Sequence, residues 1–102
     1  MARIELAPEV GDDFDRILEH LVSCQVEIPG QRIGEIIIAL DVLEHNPLIG
    51  RPVANGKREL VIGRSTQGYL ARYRYVPEIE IVFVLAIRSH REAGYAERVE
   101  EG

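Results

Sequence analysis

Seven consecutive apolar residues, Ile81-Val82-Phe83-Val84-Leu85-Ala86-Ile87, constrain this chain more than any other stretch. Side chains alternate sides along a strand, so a strand apolar on both faces has to be covered on both. The run therefore predicts a central strand over Ile79–Ile87, entered through a tight turn at Pro77-Glu78. The segment before it, Tyr69 to Val76, alternates. Tyr69, Ala71, Tyr73 and Tyr75 point one way, and Leu70, Arg72 and Arg74 the other. Arg58 to Ile62 reads as a further strand, and Gly63 to Gly68 as the polar turn between the two. Pro47 to Gly56 holds two Pro, two Gly and one Asn, which predicts a loop, with Arg51-Pro52 fixing its approach to the sheet. In the antiparallel pairing a turn at Pro77-Glu78 implies, Arg72 lies across from Phe83 and Val84, away from Arg88 and His90.

The first half has a different period. Ile4 and Leu6 flank Glu5 in a short strand that Pro8 closes, which places it at a sheet edge. Pro8 opens a helix in which Val10, Phe14, Ile17, Leu18, Leu21 and Val22 form one apolar stripe. Cys24 falls on the same side and is expected to be a small core residue. Asp12, Asp13 and Asp15 sit in the early turns, where the helix dipole favours anions, and read as a solvated helix start. Ile28-Pro29-Gly30 ends this helix. A second, with Ile33, Ile36, Ile37, Leu40 and Leu43 on one face, runs to His45-Asn46-Pro47. So short a break predicts an antiparallel helical hairpin. Helices grouped ahead of strands give an α+β fold: an N-terminal edge strand, then the helical hairpin packed on an antiparallel β-meander.

At 102 residues the chain is expected to be a single domain spanning 1–102. No apolar run approaches the roughly 20 residues that span a bilayer. The start, Met1-Ala2-Arg3-Ile4-Glu5, has no signal-peptide core, so a cytoplasmic protein is expected. One cysteine excludes an internal disulfide. Charge is divided unevenly. Residues 1–50 hold three Arg, no Lys and ten Asp or Glu, a net of −7, whereas residues 51–102 hold nine Lys or Arg and seven acids, a net of +2. His20 and His45 have no partner at zinc spacing, the aspartates complete no cation cage, and no Gly-Lys-Ser/Thr follows Gly50 or Gly56. Neither a metal nor a cofactor is expected.

The order of motifs is informative beyond each one alone. His45-Asn46-Pro47-Leu48-Ile49-Gly50-Arg51-Pro52 follows the hairpin. An Arg58-Glu59-Leu60-Val61-Ile62 strand comes next, then Gly68-Tyr69 opening a strand with Arg72-Tyr73. An apolar strand then runs into Ile87-Arg88-Ser89-His90-Arg91-Glu92. Over nearly its whole length this resembles the RelE/ParE superfamily, the toxins of type II toxin–antitoxin (plasmid stabilisation) systems. The resemblance implies a compact α+β toxin, a cognate antitoxin and growth inhibition. RelE-like members cut mRNA on the ribosome without metal, using basic sheet residues and often a C-terminal Tyr. ParE-like members are linked to DNA gyrase and generally lack that full set. Here Leu70 stands where a basic residue often follows the Gly-Tyr pair, and Val61 and Gly63 stand in the region of paired lysines. With the net charge of −5, these departures place the chain nearer the ParE-like branch.

Metal-free RNA cleavage needs a base for the 2′-OH, cations around the phosphate and an acid for the leaving oxygen. Arg72, Arg88, His90, Arg91 and Tyr95 are the candidates for that chemistry if the chain is a nuclease. The alternative is that the arginines are solvated charges at a sheet edge and His90 a surface loop residue. Eleven of the twelve cations are Arg, which suits bidentate recognition of carboxylate or phosphate. An acidic antitoxin segment meets that need as well as RNA does. Three readings therefore stand: a ParE-like toxin acting on gyrase, a RelE-like ribosome-dependent mRNA endonuclease, and a degenerate member without toxicity.

Overall fold

The computed structural model describes residues 1–25, 27–63 and 68–92. Strand β1 (Arg3–Leu6) leads into helix α1 (Pro8–Ser23) and helix α2 (Pro29–Leu40), which ends in a 3₁₀ turn, Asp41–Glu44. Then come β2 (Arg51–Val53), β3 (Lys57–Ile62), β4 (Tyr69–Val76) and β5 (Ile81–Ser89). The five strands form one mixed sheet in the order β1-β5-β4-β3-β2. β3, β4 and β5 make the expected antiparallel meander, β2 extends it antiparallel at one edge, and β1 pairs parallel to β5 at the other. The fold is α+β, with β5 paired on both sides.

Proline at the first position starts both helices, because its missing N–H is one the first helical turn leaves unused anyway. The 28–30 break is therefore the start of α2. Val10, Ile17 and Leu21 of α1 pack with Ile36 and Leu40 of α2 and Leu43 of the 3₁₀ turn. Beneath them lie Leu60, Ile62, Tyr69, Ala71, Tyr73, Val82, Val84 and Ile87, all on the same face of the sheet. Tyr73 is the largest fully buried side chain. Its hydroxyl accepts the Gly50 N–H at 2.9 Å. A Cβ on Gly50 would sit 2.7 Å from both Cε1 and the hydroxyl of Tyr73 and 2.9 Å from the Glu59 carbonyl. The loop into the sheet thus closes against the tyrosine only because residue 50 has no side chain.

Several expectations are corrected. The tight turn takes four residues, Pro77 to Glu80, and Val76 pairs with Ile81, so Ile79 is exposed in the turn rather than in the strand. Leu85 is then an extra residue: Tyr73 pairs with Val84 but Arg72 pairs with Ala86. The longer turn and this bulge together move Arg72 from opposite Phe83 and Val84 to opposite Ala86. Arg51-Pro52 belongs to a short edge strand and not to a loop. Phe83 is half-buried because it lies on the face the helices do not cover. Cys24 is exposed, at the C-cap just past the end of α1 at Ser23. Ile37 is likewise exposed, outside the narrower stripe that Ile36 and Leu40 bury.

Candidate functional site

Asp13 departs furthest from its expected solvated setting. It is fully buried, and its Oδ2 accepts the Ile87 backbone N–H at 2.9 Å. The reason lies in the strand order. β1 ends opposite Val84, so β5 runs on past its neighbour. Beyond that point the outward backbone groups of β5 need partners, because a buried unpaired amide is costly. Side chains take the missing strand's place. Asp13 accepts from Ile87 N, Arg16 Nη2 donates to Ile87 O at 3.1 Å, and Glu92 Oε2 accepts from Ser89 N at 2.6 Å. Arg16 links the two acids, donating at 2.8 Å to Asp13 Oδ1 and at 2.7 and 3.3 Å to the two Glu92 oxygens. Its pKa is raised, first by the hydrogen bond to Glu92; burial opposes this and the bond to Asp13 adds to it.

The same corner holds a cleft of about 310 Å³ whose lining includes Arg16, His20, Tyr69, Ser89, Arg91 and Glu92. His20 Nε2 lies 3.6 Å from the Cys24 sulfur. The Tyr69 hydroxyl is held above its usual pKa by burial, against the pull of nearby Arg32. Tyr73 is raised as well, again chiefly by burial, with its hydrogen bond to Gly50 and the Arg58 cation working the other way. Both phenols therefore stay protonated beyond their ordinary range.

The opposite face of the sheet carries two of the candidate cations. Arg72 pairs across from Ala86, and Leu70 from Arg88, in a checkerboard. Leu70 and Ala86, the register partners of Arg88 and Arg72, are both buried. Arg72 and Arg88 stand on a cross-strand diagonal, a separation of about 7–8 Å between backbones that long side chains span. On the next strand Glu59 lies opposite Arg72 and is buried. Arg51 donates to its Oε1 through Nε at 3.1 Å and through Nη2.

The five sequence candidates are thus dispersed. Arg72 and Arg88 share the open face, and Arg88 Nη1 also donates to the Glu92 carbonyl at 2.7 Å, bracing the turn after β5. His90 is exposed on that turn, its backbone N–H donating to the Gly68 carbonyl. Arg91 lines the α1 cleft, on the side away from Arg72. Tyr95 lies outside the described residues. Among the described residues no group of three His, Cys, Asp or Glu could hold a metal ion, and no helix is long and apolar enough to cross a membrane. Arg16 and Glu92 were not legible as a pair, being 76 residues apart. The Asp13/Arg16 spacing of three on one helix was the available signal.

The family model described as "ParE toxin of type II toxin-antitoxin system, parDE" matches residues 4–94. No match is found among curated proteins. Among solved structures, one titled "Chromosomal ParDE TA system from P. aeruginosa" is similar at a TM-score of 0.72 and 22% identity, covering 87% of this chain and 96% of that one. The likeness in fold and the match across both helices and all five strands agree: the chain belongs to the ParE toxin family of type II toxin–antitoxin systems.

Proposed function

We propose that this chain is the growth-inhibiting toxin of a toxin–antitoxin pair, that it acts by binding a protein target rather than by cutting RNA, and that a cognate antitoxin neutralises it. DNA gyrase is the target by family resemblance. The observation that carries the reading is the dispersal of the ionisable candidates. Two arginines occupy the open sheet face and Arg91 the α1 side, while His90 projects from the turn between them. A phosphate gripped by Arg72 and Arg88 does not have Arg91 within the same site. The register supports a second reading in one respect. The bulge at Leu85 brings Arg72 diagonal to Arg88, so two cations of a ribosome-dependent mRNA endonuclease stand closer than the sequence implied.

Induced expression with two parallel readouts separates these. Accumulated DNA breaks in gyrase-bound complexes, with intact mRNA, are the expected result. His90→Ala should then keep most of the growth inhibition, because His90 is an exposed turn residue. If His90 is instead an acid or base for RNA cleavage, its loss lowers the cleavage rate roughly 10²–10⁴-fold. Metal-independent cleavage of translated mRNA that His90→Ala abolishes would overturn the proposal. Growth unaffected by the wild-type chain would assign it to the non-toxic members.

A further inference from the structure

Glu59 is the one acid within strands β2 to β5. It lies on the face of the sheet that the helices do not cover, yet it is only 5% exposed. A buried carboxylate has to be paired, because its desolvation is otherwise costly. Cations on the flanking strands supply the pairing. Arg51 on β2 is its register partner on one side and donates to Oε1 through both Nε and Nη2. Arg72 on β4 is its register partner on the other. Lys57, two residues back on β3 and so on the same face, is 6% exposed. Arg74 follows Arg72 at the same interval, and Arg88 stands diagonal to Arg72. Five cations thus share this face with one carboxylate, in a chain whose net charge is −5.

A nucleic-acid backbone gains affinity wherever Lys and Arg neutralise its phosphates, and the cations of this face would suit one. Carboxylate and phosphate oxygens present the same fork to a guanidinium. A phosphate approaching Arg51 and Arg72 meets the Glu59 carboxylate already seated between their strands, and like charge at that distance repels it.

We infer that Glu59 is a specificity-determining residue, the built-in counter-ion of the arginine face, and that it keeps the phosphates of single-stranded RNA off that face. The inference deepens the reading of a toxin that binds a protein and does not cut RNA, by naming the side chain that bars RNA. Its test reads binding in vitro and does not depend on toxicity.

Fluorescence anisotropy of a labelled oligouridine, titrated with the full chain over a range of salt, tests it. Glu59→Gln keeps the length of the side chain and a carbonyl acceptor for Arg51. It should bind the oligomer at least tenfold more tightly than the wild type. The slope of log K against log salt should steepen by about 0.7 for each phosphate newly neutralised. Glu19→Gln makes the same change of charge on the exposed surface of α1 and should leave binding as it was. Adding Arg72→Ala to Glu59→Gln should abolish the gain. Equal binding by the wild type and Glu59→Gln overturns the inference. So does a gain that Glu19→Gln reproduces, or one that survives the loss of Arg72. Should Glu59→Gln unfold, the wild type carries the test. Its Arg51 and Arg72 side-chain N–H resonances should hold still as inorganic phosphate is titrated at constant ionic strength, and a saturable shift overturns the inference. Each of these failures leaves the protein-target reading standing. Metal-independent mRNA cleavage by the wild type removes that reading and this inference with it.

Discussion

Asp13 shows how a residue's chemistry can be set by a strand that ends early. Its sequence context, three acids in the first turns of a helix, reads as solvent-facing, and nothing local marks it as buried. The cause is non-local: β1 stops opposite Val84 and leaves Ile87 N–H to be satisfied from α1. Replacing Asp13 with Ala strands that amide and one side of Arg16, and breaking a buried charged pair costs roughly 3–5 kcal/mol. The lower end of that range is expected, because the Arg16 side chain keeps 33% exposure. Asn keeps the acceptor for Ile87 N–H and should recover part of the loss; urea midpoints for the two variants decide this. Gly50 is the converse case, a residue legible as loop-forming whose reason is contact. Gly50→Ala forces a Cβ into Tyr73 and the Glu59 carbonyl, and overpacking of this kind costs about 1–3 kcal/mol. An unchanged midpoint would mean the loop can move aside. The two buried phenols add a pH dependence. Their raised pKa values favour the protonated form in the fold, so their contribution is complete below the ordinary tyrosine value of about 10 and is lost as pH rises through the higher folded values. Stability should therefore fall in alkali above about pH 10. Tyr69→Phe should flatten that fall, as measured by midpoints across the range.

The strands and helices followed from hydrophobic period, since local pattern and final environment agree in most of them. Tyr69–Val76 was legible to the residue, because one face is core and the other polar. The β5 run was legible as a strand but not in its register, because turn length and a bulge are fixed by backbone geometry that an all-apolar sequence does not encode. β2 was missed: three residues held to one neighbour by Arg51 and Pro52 have no period to read. The candidate residues were legible singly but not in their arrangement, for a related reason. Charged residues clustered at the end of a strand, Arg88 to Glu92, diverge onto two sides of the sheet once the strand ends. The two faces of β5 also differ in a way the apolar run concealed. Ile87 is fully buried under α1, while Phe83 is half-buried on the open face. Ile87→Ala should cost about 2–5 kcal/mol, and Phe83→Ala less than the roughly 3–5 of a fully buried phenylalanine. A larger loss at Phe83 than at Ile87, in denaturant unfolding, would show that the open face is packed in solution.

The proposed pairing with an antitoxin calls for a surface that gains from being covered. Val22, Ile28, Ile38, Leu48, Ile49 and Val61 are each more than half exposed. Scattered apolar residues are ordinary on a monomer, but here Ile37 lines a groove between β1 and α2, and Ile38 and Val42 are exposed on α2 and the 3₁₀ turn. The free chain is expected to bear the cost of that exposure in a lowered melting temperature and a tendency to self-associate. A partner that binds only the folded state stabilises by mass action, by about 4.1 kcal/mol when present at a thousand times its Kd. For a chain of this length each kcal/mol moves the melting temperature by roughly 4–8 °C, so saturation with the antitoxin should raise it by roughly 16–33 °C. Differential scanning fluorimetry across an antitoxin titration measures this. A toxin that remains monomeric at high concentration and melts at the same temperature with and without the antitoxin would show that its apolar surface is not a binding surface at all.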